Sequence, residues 1–594
     1  MDISLTTSTH KYQKYGLGTL LLFSFCWIVS LPILAAGYFS DDAINSLIPG
    51  SFELFHQNFF SGIWGYMRDW LANGRFFPLS VISSVTVFYL FSDILSYQIL
   101  RTFFIWLSLF AFAWLIKQLT KNTNASWLFI LCVPICWSVR NFPDPLTSFA
   151  IFLPLLTLFI ALSLIFYLKF QETLKSAWLA LSLFLYVLAL STYEVGVTEL
   201  FLLPILIWFG PYANKRLHSS FVPYCLLTVV YAVINFRLRY NSTGMYDGIE
   251  LGRLANFFPT FLAQLASSLP LSYRLFSHQP EIPLQELLQQ YFNQPYSLLL
   301  IGYFFAISLF GLYYCLRKIY FSQRTIICLA LLGLVLMMIP AALIGSSVKY
   351  QHMVSLGKGY LSVYLQYIGL SLFFIASVGQ FHLIKLNNTV KSLLLFCTAL
   401  LGSFTLSYAL ILNSYVVVSM NDVSGYKRSL IEEALHHHLF ADLPQHTAII
   451  EKLYLWNNAE FFMLNAHVKI DHVIDLNDHA AIAFLKNDNQ YLLDAYHLPG
   501  LKAGYVILGL IHSVQTRIIK NHFEMVSVIQ VNHPRIFITA TSSAEFDKIL
   551  RMLTVRLALS SRDVSNISDF NHHMENHNAF IVPLSGTDYV MPFI

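Results

Sequence analysis

The topology of this chain turns on one stretch, Leu79-Ser80-Val81-Ile82-Ser83-Ser84-Val85-Thr86-Val87-Phe88-Tyr89-Leu90-Phe91-Ser92. It is apolar, but shorter than the roughly 20 residues of a straight helical crossing, and Ser80, Ser83, Ser84 and the following Asp93 interrupt it. Other apolar runs lie on both sides. They predict helices at roughly 16–37, 98–116, 124–139, 146–168, 177–192, 196–210, 219–236, 297–315, 325–345, 360–379 and 391–413. If 79–92 does not cross the membrane, the turns with Lys117/Lys121, Lys169/Lys175, Lys215/Arg216, Arg317/Lys318/Arg324 and Lys385/Lys391 share a side with Lys11 and Lys14. That is the distribution the positive-inside rule asks for. If it crosses, all those turns face away from the N-terminus. The first arrangement is the expectation: about eleven spans, an inside N-terminus and an outside C-terminus, with 79–92 half-buried or surface-lying. The run 255–271, inside the long outside loop 237–296, is likewise expected to lie in the interface.

Composition agrees with a polytopic membrane protein. Of 594 residues, 56% are hydrophobic and 11% charged, where a soluble domain carries about 25% charged residues. Charge gathers beyond about residue 415. The expected organisation is a membrane domain over 1–415, with its first external loop at 38–97, and a soluble domain over 416–594. The first apolar run is long for a signal-peptide core, and Ala35-Ala36-Gly37 is a weak cleavage signal, so it reads as an uncleaved helix. A net charge of +4 with no basic cluster gives no nucleic-acid face. The seven cysteines all lie in or beside apolar spans, so no disulfide framework is expected.

The polar residues at the outside span ends carry the chemistry. Asp41 and Asp42 follow the first span, in Tyr38-Phe39-Ser40-Asp41-Asp42-Ala43. Adjacent carboxylates repel, so one tends to hold its proton more tightly, and such a group can take a proton from a hydroxyl or hold a divalent cation. Asn73-Gly74-Arg75-Phe76-Phe77-Pro78 puts Arg75 at headgroup depth, between a turn glycine and a proline. A guanidinium there either snorkels or meets a phosphate. In Val139-Arg140-Asn141-Phe142-Pro143-Asp144-Pro145 two prolines flank Asp144, and in Ser191-Thr192-Tyr193-Glu194-Val195-Gly196 a glutamate stands between two apolar helices. Positive charge on the outside runs against the topology rule, which makes Arg237, Arg239, Lys349, His352 and Lys358 candidates for phosphate contact or for attraction to anionic headgroups.

This ordered set resembles the GT-C class of membrane glycosyltransferases. An aspartate pair follows the first span, a Gly-Arg-Phe-x-Pro segment closes the first loop, and an Asp-containing turn and a Ser-x-Tyr-Glu-x-Gly turn come later. Over roughly residues 16–210 it looks like the tetratricopeptide-type O-mannosyltransferases and their bacterial relatives that decorate lipopolysaccharide or surface polymers. No 34-residue repeat follows the spans, so the tetratricopeptide tail is absent. The resemblance implies a polyprenyl-phosphate sugar donor, a glycan, lipid or protein acceptor, and a site on the outer face of a bacterial inner membrane. It implies an Asp base in the first loop: Asp42, with Asp41 orienting it or sharing a metal such as Mg or Mn, or the two in reversed order. Asp144 would contact acceptor or metal. Glu194 would hold a sugar hydroxyl or an arginine, Tyr193 and Asn141 would position substrate, and Arg75, Arg237, Arg239, Lys349, His352 and Lys358 would face the donor phosphate.

The tail opens with Glu432, Glu433 and His436-His437-His438, which read as a solvated face. Val/Ile-rich runs at 447–454, 467–475, 504–510, 525–531 and 536–541, with helical stretches such as 480–486 between them, suggest an α/β layer. The fold expected is therefore an all-α polytopic membrane domain with a C-terminal soluble α/β domain. Rival readings are a transporter or flippase of lipid-linked saccharides, a glycan polymer ligase, and a non-catalytic assembly protein.

Overall fold

The computed structural model describes residues 3–54, 56–91, 93–141, 143–212, 219–242, 250–292, 295–421, 447–451, 470–475, 505–511, 535–541 and 579–580. Contacts divide the chain into two units, Met1–Asp42 with Ser61–Val418, and Ala43–Phe60 with Ser419–Ile594. In chain order the helices are α1 (Ile3–Leu34), α2 (Asp41–Asn45), α3 (Ile48–Leu54), α4 (Phe59–Ala72), α5 (Pro78–Leu90), α6 (Ile94–Thr120) and α7 (Thr123–Cys132). There follow α8 (Phe152–Thr173), α9 (Ser176–Thr192), α10 (Thr198–Phe209), α11 (Val222–Tyr240), α12 (Leu254–Ala266) and α13 (Ser272–Leu275). The last are α14 (Leu284–Phe292), α15 (Pro295–Arg317), α16 (Gln323–Gly345), α17 (Val348–Met353), α18 (Val363–Leu383) and α19 (Asn388–Met420). Every apolar run expected to be helical is helical.

Among the described residues seven helices, α6, α8, 219–240, 296–317, α16, α18 and α19, are long and apolar enough to cross a membrane. Gly18–Leu34 within α1, α5, 123–136, α9 and α12 are shorter apolar helices. Local chemistry sets several ends. The Asp93 side chain accepts the Ser96 amide at the start of α6, and Lys121 closes that helix in the left-handed region. Pro78 occupies the first turn of α5, where a missing N–H costs nothing. α16 and α18 cross at paired glycines: a Cβ on Gly333 would lie 2.6 Å from the Gly369 carbonyl oxygen, and the reverse is equally close. Between lipids, where apolar burial gives helices little reason to associate, such close backbone contact is what holds them.

The basic turns gather at one end of the bundle. Lys121 donates to the Tyr212 hydroxyl, which donates to Glu172, itself paired with Lys169. Asn122 donates to the Lys318 carbonyl, Arg324 to that of Trp208, and Lys391 to that of His382. The Lys215/Arg216 turn lies outside the described residues. α5 and α12 lie toward the opposite end. α5 starts beside Arg75, which pairs with Glu194 beyond the end of α9. Its last turn packs the Phe88 ring, tilted, against Tyr38 past α1 and Tyr97 at the start of α6. α12 starts where the Gly252 amide meets the Ser346 carbonyl at the end of α16, and ends at Ser267, whose carbonyl accepts from Arg140 after α7.

In the second unit the described strands β1 (Thr447–Glu451), β2 (Ile470–Asp475), β3 (Tyr505–Ile511), β4 (Arg535–Thr541) and β5 (Ala579–Phe580) form one sheet in the order β2-β1-β3-β4-β5. β1 runs parallel to β2 and β3, and β4 antiparallel to β3 and β5. Four expected strands correspond to β1 to β4. The two-residue β5 is too short to read from a pattern. The expected strand 525–531, the helical stretch 480–486, Glu432, Glu433 and His436, His437 and His438 lie outside the described residues.

The arrangement predicts a labelling pattern. In a background where native thiols are silent to a membrane-impermeant maleimide, single cysteines at Asn73 and Asp93, which flank α5, should label from one face. A cysteine at Lys175 should label from the other. Labelling of Asn73 and Asp93 from opposite faces would show that α5 crosses.

Candidate functional site

Asp42 is fully buried just past α1. One carboxylate oxygen accepts the Ala150 amide at 2.9 Å; the other accepts from the Tyr97 hydroxyl and lies 3.3 Å from Arg101 Nη1. Tyr97 and Arg101 are four apart on α6, one turn of helix, so both reach the same carboxylate. Arg101 is also fully buried and holds Gln98, which donates to the Ala36 carbonyl at 2.7 Å. Burial pushes the Asp42 carboxyl up to about 6, against the pull of Arg101, Tyr97 and the Ala150 amide. The carboxylate knots the end of α1, the start of α6 and the start of α8.

Asp41 is one residue away but exposed. The atoms packed around it still raise its carboxyl above the ordinary value, while Lys349 and Arg75 lie near enough to lower it. Arg75 is fixed from several sides. Its guanidinium makes a two-pronged contact with Glu194, at 3.0 and 3.2 Å, and sits 4.3 Å over the Phe77 ring and 5.7 Å from that of Trp70. Gly74, at φ 78°, turns the chain so that the Arg75 amide reaches the Trp70 carbonyl. Tyr231 of α11 donates to the Phe76 carbonyl and lies within electrostatic reach of Arg75, Glu194 and Arg239.

The loop between α7 and α8 is a buried polar knot. Asp144 caps its own turn: one oxygen accepts the Leu146 and Thr147 amides and the Thr147 hydroxyl. Burial raises its carboxyl, opposed chiefly by Arg140. Arg140, fully buried, donates to the Ser267 carbonyl at 2.7 Å and the Tyr367 hydroxyl at 2.9 Å, binding the loop to α12 and α18. The Asn141 amide donates to the Tyr273 hydroxyl. Gly359, at φ 56°, backs onto this knot; a Cβ there would lie 2.6 Å from Ser267 Cβ.

The sequence-predicted residues therefore separate. Asp41, Arg75, Glu194 and Lys349 come together, with Arg239 approaching through Tyr231. Asp42 is enclosed by Tyr97, Arg101 and the Ala150 amide, while Asp144 is fully buried with one oxygen capping its own turn and the other without a hydrogen-bond partner. Tyr193 is buried edge-on against Phe152, at 5.5 Å between ring centroids. Asn141, Arg237 and His352 are exposed and Lys358 is half-buried. Sequence reasoning passed over Tyr97, Arg101, Arg140 as a tether, and Glu199 in α10. The signal for Arg101 was present: an arginine early in an apolar helix, at the end the topology rule leaves poor in positive charge. Among the described residues no three His, Cys, Asp or Glu side chains gather as a metal-ligand group. With Asp42's oxygens taken by Tyr97, Arg101 and Ala150, the donor set does not fit a metal bridging Asp41 and Asp42.

No protein-family model matches the chain. No curated protein matches it. Among solved structures it is similar to ArnT from Cupriavidus metallidurans bound to undecaprenyl phosphate, with 10% identity and a TM-score of 0.41, over 83% of this chain and 93% of that one. The apo state of ArnT from the same organism gives 11% identity and a TM-score of 0.42, over 84% and 93%. Likenesses this distant fix neither fold nor chemistry, and the assignments below rest on the residues.

The buried pair sets a prediction. Asp42→Asn leaves Arg101 buried without its counter-charge, at a cost of about 3–5 kcal/mol, and should lower the melting temperature in detergent. Asp42→Asn combined with Arg101→Gln should recover part of that loss. Asp41→Asn should leave the melting temperature unchanged. Equal destabilisation by the two single variants would refute the division of labour between the aspartates.

Proposed function

We propose that this chain is an integral-membrane glycosyltransferase of the GT-C class, moving a sugar from a polyprenyl-phosphate donor to a glycan, lipid or protein acceptor on the outer face of a bacterial inner membrane. The observation that carries this is the solvent-reaching Asp41 with Arg75 and Lys349 beside it, at the bundle end opposite the basic turns. In this reading 1–415 is the catalytic membrane domain, with the first external loop at 38–97. It crosses about eleven times from an inside N-terminus. Residues 416–594 form an external soluble α/β domain, to which the mixed sheet would belong.

Transfer from a lipid phosphate needs a base near the acceptor hydroxyl and positive charge near the departing phosphate. We assign the base to Asp41 rather than Asp42, because only Asp41 reaches solvent while Asp42 is enclosed by Tyr97, Arg101 and Ala150. As the acceptor oxygen bonds to the anomeric carbon, Asp41 takes its proton. The bond from that carbon to the donor phosphate breaks, and its electron pair leaves with the polyprenyl phosphate. Lys349 and Arg75, the latter pre-oriented by Glu194, meet the leaving group's charge. Asn141, Arg237, Arg239, His352 and Lys358 are assigned to donor and acceptor contacts at the same end. Asp144 and Tyr193 act by holding their loops, since both are buried.

One observation favours the rival reading, a carrier or flippase of lipid-linked saccharides. Glu199 is fully buried in α10 among hydroxyls, accepting from Ser163, which bonds Ser182, which in turn bonds Tyr224. Acids inside a membrane bundle often serve transport.

The deciding experiment is a transfer assay with purified protein and a polyprenyl-phosphate sugar. Asp41→Asn should lose about 10²- to 10⁴-fold in rate, the usual worth of a positioned base. Because burial raises the Asp41 carboxyl above its ordinary 3.8, and a base must be ionised, activity should climb with pH along a limb lying above 3.8. Lys349→Ala should cost about 10²-fold, with Lys349→Arg recovering much of it. Full activity in Asp41→Asn would remove the base assignment. Movement of the intact lipid-linked sugar without transfer, abolished in Glu199→Gln, would favour the rival.

A further inference from the structure

A shallow, open groove of about 530 Å³ lies between α15 and α19, at the basic end of the bundle, where Lys391 bonds the His382 carbonyl. Its lining divides by chemistry. Asn388, Thr389 and Ser392, at the start of α19, make a polar rim; Leu393, Phe396 and the Tyr313 ring make an apolar floor. The Tyr313 hydroxyl bonds Ser392 at 2.8 Å, and its ring meets Phe396 edge-on at 5.7 Å. Leu393 is 61% exposed and Phe396 39% exposed, so the floor opens sideways. One turn beyond Tyr313, the exposed Arg317 places its guanidinium 5.5 Å over the Tyr313 ring. α15 ends at Arg317 and α19 begins at Asn388, which puts the groove where polar headgroups give way to acyl chains.

The chain that builds it carries charge of one sign. Between Glu286 and Asp422 the sequence holds no Asp or Glu, while Arg317, Lys318, Arg324, Lys385 and Lys391 fall at this end. Arg324 and Lys391 bond the Trp208 and His382 carbonyls, leaving Arg317, Lys318 and Lys385 on the exposed surface. The carboxylate named at this end, Glu172, is paired with Lys169.

We propose that this groove binds an anionic phospholipid of the adjoining leaflet. Its phosphate sits at Arg317 and the Asn388–Thr389–Ser392 rim, and one acyl chain runs down Leu393 and Phe396. A zwitterionic lipid would bring an ammonium into the same positive field. A free anion would leave the apolar floor uncovered.

Native mass spectrometry of the full chain in detergent tests this, with phosphatidylglycerol and phosphatidylcholine as probes. Phosphatidylglycerol should be retained over phosphatidylcholine. Arg317→Gln should weaken its retention about fivefold, the worth of one basic residue near an anionic surface. Ser392→Trp, which fills the groove, should weaken it too; if that variant fails to fold, Phe396→Ala takes its place. Lys175→Gln removes an exposed cation from another turn at the same end and should change nothing. Melting temperatures matching the parent separate lost binding from lost structure. Equal retention of the two lipids, or equal loss in Lys175→Gln, would mean a general charge effect and overturn the site. Displacement of the lipid by millimolar inorganic phosphate would overturn it in favour of a simple anion site. None of these readouts depends on sugar transfer.

Discussion

The buried contact between Asp42 and Arg101 is the constraint on which the site end of this bundle depends. Two opposite charges with no solvent access are costly to bury and are retained only with good geometry and further hydrogen bonds. Here Tyr97 and the Ala150 amide supply those bonds. The consequence is positional. The end of α1 cannot drift from the start of α6 or from the loop before α8 without exposing a lone buried charge. Asp41, the next residue, inherits that rigidity while its own side chain reaches solvent. An exposed carboxylate on a rigid base, itself unengaged by the anchoring, is held in a fixed position.

A second layer of the same logic holds the remaining loops. Arg140 reaches from the α7–α8 loop to α12 and α18, and Arg75 reaches from the first loop to Glu194 beyond α9. Each arginine ties a loop to a distant helix by a planar, multi-donor group, something a lysine's single ammonium would do less specifically. The three arginines sit at the end that the topology rule leaves poor in positive charge. Two are buried and the third half-buried, so there they are structural cations more than surface charges.

The opposite end uses charge differently. Its lysines and arginines mostly bond backbone carbonyls or tyrosine hydroxyls at turns, or stay exposed. This polarity, anchoring arginines at one end and surface cations at the other, gives the membrane unit two chemically distinct faces.

The sequence by itself determined the long apolar helices and their order, and the lysine and arginine bias placed the described basic turns at one end; short helices such as α4 and α14 were not legible in it. Hydrophobic run length, capping residues such as Asp93 and Pro78, and lysine and arginine bias are local properties that need no knowledge of neighbours. Four of the described strands were legible for the same reason. The tertiary structure alone decided which of two adjacent aspartates is enclosed and which is open. The partners of Asp42 lie 55, 59 and 108 residues away in the chain, and Arg75 meets Glu194 across 119. Burial and pairing at such separations follow from how helices pack, and no local pattern of residues records them.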